Sequence, residues 1–386
     1  MRILYVALKY DYGDPARGYA FEHNNFFHAL HHMGHDILYF DFMSLLQARG
    51  RTAMNTRLRE VASAEQPDLL FCILFKEELD RRTMRNITDD TLTLNWFCDD
   101  HWRFDGFSRF WAPCFNRVVT TAESALPKYK RLGIRNVIKS QWACNPYMYQ
   151  KLDVPLAYDV TFIGQPHGSR RATIAALREE GIDVQTWGNG WQNGRLSQEE
   201  MIRRFNQSRI NLNLANSSLA RPAGPGARLG AAAKRAASRL LCAIPGGRAV
   251  KERAKAARIQ RKEATPPPAP REHLPEQIKG RNFEVPGCGG FLLTSPVEDL
   301  DRYYEPEREI SLFASDRELV EKIRYYLDHE DERAAIARAG YERTVREHTY
   351  VHRFTDIFGC LGLPADPPEE ILARGPRAGL VEEISW

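Results

Sequence analysis

Apolar residues follow two rhythms along this chain, short buried runs and helical stripes, and the rhythms alternate. Arg2–Leu8 is an apolar run that predicts a buried strand, and Asp11–Gly18 reads as a turn-rich loop. From Phe21 the apolar positions recur at helical spacing through Phe26, Phe27, Leu30 and Met33, then stop at Gly34. Ile37–Phe42 predicts a second strand and Met43–Ala64 a helix. Pro67–Phe75 is a run with few polar residues, as central parallel strands tend to be. Leu92–Cys98 and Arg117–Thr121 predict further short strands, and Leu126–Leu132 a helix closed by Gly133. Strand, glycine-containing loop, helix and strand open a doubly wound α/β unit.

Near residue 150 the pattern restarts. Asp159–Gly164 predicts a strand ending at a glycine loop, followed by a helix over Arg170–Glu180, a strand over Val184–Trp187, a helix over Glu199–Gln207 and a strand over Ile210–Leu214. Phe291–Thr294 is another strand. Leu319–His329 is amphipathic, with Leu319, Ile323, Tyr326 and Leu327 on one face. Helices over Asp331–Glu347 and Tyr350–Leu361 follow. The fold class expected is α/β, with two Rossmann-like domains facing a cleft, residues 1–152 and 153–350, and a C-terminal stretch over 351–386.

Residues 218–272 interrupt the second domain with a segment rich in Ala, Gly, Arg and Pro. The formal net charge of +4 hides this split. Residues 221–262 hold twelve Lys or Arg and one acid, Glu252, against 42 basic and 49 acidic residues elsewhere. Leu229, Ala233, Ala237, Leu240 and Leu241 fall on one helical face there, and Arg228, Arg235 and Arg239 on another. Such a basic amphipathic helix fits an anionic membrane surface, or is a solvated insertion with helical tendency. With no aromatic residue in 221–262 to stack on bases, nucleic acid is not the expected partner.

Hydrophobic residues at 43% suffice for a core, yet no apolar run approaches the ~20 residues needed to span a bilayer. The N-terminal apolar stretch is too short for a signal peptide. Seven scattered cysteines without a Cys-x-x-Cys pair argue for free thiols and against structural zinc. The location expected is cytoplasmic, peripheral on the inner membrane face if the basic segment docks there.

The candidate chemistry concentrates in Glu276–Phe291. Glu276 and Glu284 stand eight positions apart, with Lys279, Arg281 and Asn282 between them, and Gly287, Gly289 and Gly290 follow. A carboxylate can grip the paired hydroxyls of a ribose. Lys, Arg and a glycine-rich backbone can hold a diphosphate. The bland alternative is a charged surface helix and a tight turn before a strand. Gly164 and the two arginines after it, Arg170 and Arg171, are further donor-side candidates. Asp99-Asp100-His101 follows a strand where an α/β sheet opens into its cleft, and could act as catalytic base or acceptor clamp. It also reads as a helix N-cap. Glu22 and His23, after the Gly18 loop, are weaker candidates.

Four stretches of the second half resemble the glycosyltransferases related to the spore-maturation protein CgeB. They are Gln277–Leu293, Tyr303–Glu309, Glu318–His329, and Ala337–Gly340 running on to Glu347-His-Thr-Tyr350 and Arg353. Asp159–Gly164 and Trp187–Trp191 look like that family's second-domain start. Where the family often has a glycine, this chain has Glu305-Pro-Glu-Arg-Glu309. The resemblance implies the two-domain GT-B fold, with a nucleotide-diphosphate-sugar donor held by the second domain and an unidentified acceptor facing the first. It implies a ribose role for Glu284, a place near the sugar for Glu276, and leaving-group stabilisation by Lys279 and Arg281 without a metal or other cofactor. It also implies that 351–386 begins as a helix crossing back, with His348 and Arg353 at the junction.

The leading expectation is therefore a glycosyltransferase acting in surface polysaccharide, glycolipid or protein glycosylation. A non-catalytic relative that binds nucleotide sugars or a partner is the alternative. A dinucleotide or P-loop enzyme is disfavoured, because no Gly-x-Gly-x-x-Gly follows the first strand and no Gly-x4-Gly-Lys-Ser/Thr occurs.

Overall fold

The computed structural model describes residues 1–215 and 276–377. The basic stretch 221–262, and with it the membrane-docking reading, lies outside the described residues.

The first sheet has six strands, β1 (Arg2–Ala7), β2 (Asp36–Asp41), β3 (Leu69–Cys72), β4 (Thr93–Phe97), β5 (Arg117–Thr120) and β6 (Val137–Lys139). Their spatial order is β2-β1-β3-β4-β5-β6, and every pairing is parallel. The central strands are buried on both faces because helices cover both, which is why Leu69–Cys72 is wholly apolar. The second sheet comprises β7 (Tyr158–Ile163), β8 (Val184–Trp187), β9 (Ser208–Asn213), β10 (Leu292–Thr294) and β11 (Ser311–Leu312), ordered β11-β10-β9-β7-β8 and again parallel. The strand order reverses between β1 and β3 in one sheet and between β7 and β9 in the other. A crevice opens at each reversal, beyond the carboxyl ends of the strands.

The two sheets are joined by a seam of backbone and aromatic contacts. Cys144 N–H donates to His348 O and Tyr350 N–H to Cys144 O, both at 2.9 Å. The helix Tyr350–Leu361 then lies on the first domain, where Phe354 meets Phe26 and Phe71 with ring centroids 5.6 and 5.8 Å apart. Arg353 Nε donates to Gln141 O at 3.3 Å, and a His348 ring nitrogen lies 2.6 Å from Tyr303 O.

Three elements depart from the sequence reading. Arg81–Asp90 is a helix that buries only Met84 and Ile87, too thin an apolar stripe to read. The edge strand β6 is three half-buried residues. Pro67–Phe75 shortens to the four residues of β3, and Ile73 and Leu74 after it stay buried, their amides bonded to Val6 O and Asn95 Oδ1.

Candidate functional site in the cleft

Both switch points feed one cleft. From the first domain come Glu22, at the start of the first helical stretch, and Asp99 and His101, just after β4. From the second come the Gly164 loop after β7 and residues 277–281, which resume beside the end of β9, where Gln277 N–H reaches Ala215 O at 3.4 Å. The walls touch: Gln277 Nε2 donates to Asp99 Oδ1 at 3.1 Å. At Gly280 a β-carbon would come within 3.0 Å of the Phe21 ring and 3.1 Å of the Glu284 carboxylate, so a larger residue there would have to push the Phe21 ring back.

The second-domain wall is cationic. Lys279 is half-buried, and among the described residues no carboxylate pairs with its amine. Burial pushes that amine down to about 8, with Asp99 opposing and Arg170 adding. Burial and the Lys279 charge push the His101 imidazole down to about 4, so it is neutral at pH 7. Its buried Nδ1 has no hydrogen-bond partner among the described residues. His167, in the Gly164 loop, is likewise lowered by burial and by Arg170 and Lys279. The first-domain wall is acidic. Burial raises Glu22 to about 7, and the carboxylates of Asp11 and Asp99 add to the shift.

Several residues singled out from sequence take other places. Asp100 leaves the set: it is fully buried and accepts from Tyr129 Oη at 2.8 Å, so its carboxyl, raised by burial, turns into the first-domain core. Arg170 commits Nε and Nη2 to Leu214 O, at 3.0 and 2.6 Å, and Nη1 to Gln165 O at 2.9 Å. It braces the end of β9 against the Gly164 loop, leaving its charge rather than its donors to the cleft. Arg171 donates to Gly190 O and lies over Trp191, 4.8 Å from the ring centroid. Asn282 is fully buried and accepts from Lys279 N–H at 2.9 Å and Asn213 Nδ2 at 3.0 Å, fixing the turn that aims Lys279. Glu276 is exposed.

Glu284 has no exposed surface. Its Oε1 accepts from Tyr149 Oη at 2.7 Å, and its Oε2 is paired with Arg281. A ribose would reach this carboxylate only by displacing Arg281. The glycines need the clearest correction. They lie at the C-terminal end of the helix Arg281–Gly287, where carbonyls gather, and the amides of Cys288, Gly289 and Gly290 close the helix on Glu284 O, Pro286 O and Val285 O. No N–H is left there for a phosphate. A β-carbon on Gly287 would lie 2.3 Å from Cys144 Sγ, and one on Gly290 3.1 Å from Phe205 O. Gly287 serves close packing at the domain seam, Gly290 serves it within the second domain, and Gly289 turns the chain at φ 74°. Gly164 belongs to the packing inside the second domain: its carbonyl accepts from Trp191 Nε1 at 2.7 Å and sits where a β-carbon on Gly188 would have to go.

The cationic wall lies within a recognisable domain. The glycosyl transferase-like family model matches residues 170–240 and 233–359. The second domain is a glycosyltransferase domain. The fold of the whole chain agrees. It is similar to HepE from Anabaena, solved with UDP-glucose, at 10% identity and a TM-score of 0.58 over 94% of this chain and 99% of that one. It is similar to sucrose-phosphate synthase from Thermosynechococcus elongatus, at 10% identity and 0.53 over 97% and 100%. A glycosyltransferase from Rickettsia africae matches at 9% identity and 0.54 over 96% and 98%. A comparison with curated protein sequences finds no match. The chain is thus a glycosyltransferase of GT-B architecture.

Sequence reasoning passed over Gln277, Tyr149 and His167. Gln277 lies inside the quoted motif but carries no charge to draw attention. Tyr149 is far from Glu284 in sequence, and nothing short of the fold joins them. His167 had a usable signal, a polar side chain in the loop after β7. Among the described residues, no group of three or more His, Cys, Asp or Glu is placed to hold a metal ion, and no helix is long and apolar enough to cross a membrane.

Proposed function

We propose that this glycosyltransferase transfers a sugar from a uridine diphosphate donor to an acceptor hydroxyl, with Lys279 as the principal cation on the donor diphosphate. The observation that carries this reading is Lys279 itself: a half-buried amine beside Arg170 in a glycosyltransferase domain, with no ion pair among the described residues and the Asp99 charge only partly offsetting its burial. A cation held at such a cost is repaid when an anion arrives. The uridine assignment leans on the UDP-glucose in the HepE structure. Within the family, the CgeB-like kinship rests on the 277–293 and 303–353 motifs.

In the reaction the acceptor oxygen forms a bond to the anomeric carbon while the carbon–oxygen bond to the diphosphate breaks. Positive charge grows on the sugar and negative charge on the leaving diphosphate, which Lys279, supported by the charges of Arg170 and Arg281, stabilises where a metal ion would otherwise serve. The acceptor proton passes to a carboxylate of the first-domain wall. Glu22 is our choice, because a base poised near 7 combines a free carboxylate with useful basicity. Asp99, tied to Gln277, positions the two walls, and neutral His101 can accept or donate one hydrogen bond to the sugar. The basic 221–262 segment would hold the enzyme against an anionic membrane face. Liposome binding unchanged by its deletion would rule that out.

The test is a thermal-shift series with UDP, GDP, TDP, ADP and CMP on wild type and Lys279→Met. A ligand at ~100 times its dissociation constant adds about 2.7 kcal/mol to stability. A shift with UDP that shrinks in the variant is expected. A flat response to every diphosphate would overturn the donor site, and a shift with another nucleotide would replace uridine.

A further inference from the structure

A chain of polar contacts runs from the first domain, through the segment that joins the domains, to a guanidinium of the cationic wall. It starts at Asn24, close to Glu22 on the same helical stretch. Asn24 O accepts from Asn145 Nδ2 at 2.7 Å. Asn145 is fully buried, and its own carbonyl accepts from Tyr149 N–H at 2.9 Å. That ties the Tyr149 turn to the first domain. Tyr149 is 3% exposed, and its hydroxyl donates to Glu284 Oε1 at 2.7 Å. Glu284 Oε2 pairs with Arg281, whose Nε donates to Ile163 O at 3.3 Å.

Burial decides what each member can do. A carboxylate without exposed surface stays an anion only while donors reach it. Burial and the Glu284 charge push the Tyr149 phenol well above its ordinary value, so it keeps its proton and acts as a donor across the working pH range. Gly280 covers the same carboxylate, since a β-carbon there would come within 3.1 Å of Oε1. Glu284 therefore offers a ribose neither surface nor an oxygen without a donor.

Arg281 differs. Its side chain is 25% exposed. Nε is committed to Ile163 O and Nη1 to Glu284, while Nη2 has no hydrogen-bond partner among the described residues. Ile163 ends β7, a strand at the order reversal of the second sheet, so the guanidinium is held at the crevice where such sheets bind ligands. Arg170 is lowered by burial and by the Arg281 charge, which places both cations in one field. A planar guanidinium held at two nitrogens presents the third in one direction. Glu284 sets that direction, and Tyr149 sets Glu284. Without the phenol, Oε1 would draw on the remaining donor, the Arg281 fork, as a two-bond pair that turns Nη2 away from the cleft.

We propose that Tyr149 and Glu284 are positioning residues for the donor diphosphate. The phenol orients the buried carboxylate, the carboxylate orients Arg281, and Arg281 Nη2 meets a phosphate oxygen beside Lys279. Neither Tyr149 nor Glu284 touches the nucleotide, so Glu284 gives up the ribose contact that the family resemblance implies. The proposal rests on the donor reading of the cleft. It adds that the grip on the diphosphate is set in part from the segment between the domains.

The test is calorimetric titration of the full-length protein with UDP and with 2′,3′-dideoxy-UDP, which lacks both ribose hydroxyls. The proteins are wild type, Tyr149→Phe, Glu284→Gln and the double variant. Wild type is expected to bind both nucleotides. Tyr149→Phe is expected to lose about tenfold in affinity, the scale of one hydrogen bond to a charged group, and by the same factor for each nucleotide. The double variant should bind no more weakly than Glu284→Gln alone, because Tyr149 acts through that carboxylate. A loss confined to UDP would overturn the proposal and return Glu284 to the ribose. Unchanged affinity in Tyr149→Phe would overturn it by making the phenol a packing group, and so would losses that add in the double variant. Should Glu284→Gln fail to fold, the two titrations of Tyr149→Phe decide alone. Wild type that binds neither nucleotide would sink the donor reading and this proposal with it, whereas binding by wild type with a silent Tyr149→Phe sinks the proposal only.

Discussion

The second domain faces the cleft with nitrogen cations, Lys279, Arg170 and Arg281, whereas the first faces it with carboxylates, Glu22, Asp99 and Asp11. Both stand on parallel sheets at a switch point, so the difference lies in what the loops carry and not in the scaffold. The family model matches from residue 170 onward, which is the cationic side. A diphosphate imposes one requirement, compact positive charge. An acceptor imposes its own shape, and the first domain answers with side chains that no general pattern describes.

The largest effect expected from a single change separates packing from binding on the cationic side. Glu284→Ala would strand Arg281 and Tyr149 in a dry site, at a cost of about 3–5 kcal/mol. Asp99→Ala removes one hydrogen bond, to Gln277, at a half-buried position and should cost about 1 kcal/mol. Urea unfolding of both variants checks this. Equal losses would mean that the Glu284 pair is weaker than its burial implies. A drop in nucleotide binding by Glu284→Ala would then need the Gln variant before it could be read as loss of a ribose contact.

Lys279→Met should weaken UDP binding by roughly 30-fold, the scale of one charge-assisted hydrogen bond lost. The pH dependence sharpens the test. The free enzyme's Lys279 releases its proton near 8, and the diphosphate binds the protonated form. Affinity should therefore be level below about pH 8 and decline above it in wild type, with proton uptake in calorimetry. In the variant this decline should vanish. A wild-type profile flat to pH 10 would remove Lys279 from the phosphate.

Across the cleft the sign reverses. Glu22 is raised from 4.5 to about 7, so between those values the folded state holds more protons than the unfolded. The stability it contributes is fully present below 4.5 and lost as pH rises through 7. Glu22→Gln should thus match wild type at pH 4 and exceed its stability by about 3 kcal/mol at pH 8. If Glu22 takes the acceptor proton, the acidic limb of turnover near pH 7 disappears in the same variant. Persistence of that limb would pass the role to Asp99.

The contrast between the walls also explains what could be read from the chain beforehand. Strands such as Arg2–Ala7 and Leu69–Cys72 announce themselves because burial on both faces leaves continuous apolar runs. Two successive α/β halves were legible for the same reason. Site geometry was less so, because adjacent residues on a turn point apart: Asp99 faces Gln277 across the cleft while Asp100 enters the core. Glycines mark a tight backbone without telling which helix end they close, and Gly287, Gly289 and Gly290 close the carbonyl end.

The smallest effect belongs to the outer rim, where the domains also touch. Arg302 lies 3.4 Å from Glu123 across the cleft, with 61% of the arginine side chain exposed. An exposed pair of long side chains gains little over water, so Arg302→Ala should change stability by less than about 0.5 kcal/mol. The Lys139–Asp299 pair, at 3.7 Å and with only 19% and 10% exposure, is the better-sheltered tie, and Asp299→Asn should cost more than Arg302→Ala in the same urea titration. If both are silent, the domains are held by the seam of Cys144, Tyr350 and Phe354 and by the Gln277–Asp99, Tyr149–Glu284 and Arg195–Asp11 contacts, and these two rim pairs only bias how far the cleft stands open. If Arg302→Ala costs over about 1 kcal/mol, the rim is part of the hinge, and the cationic and acidic walls cannot be treated as independent.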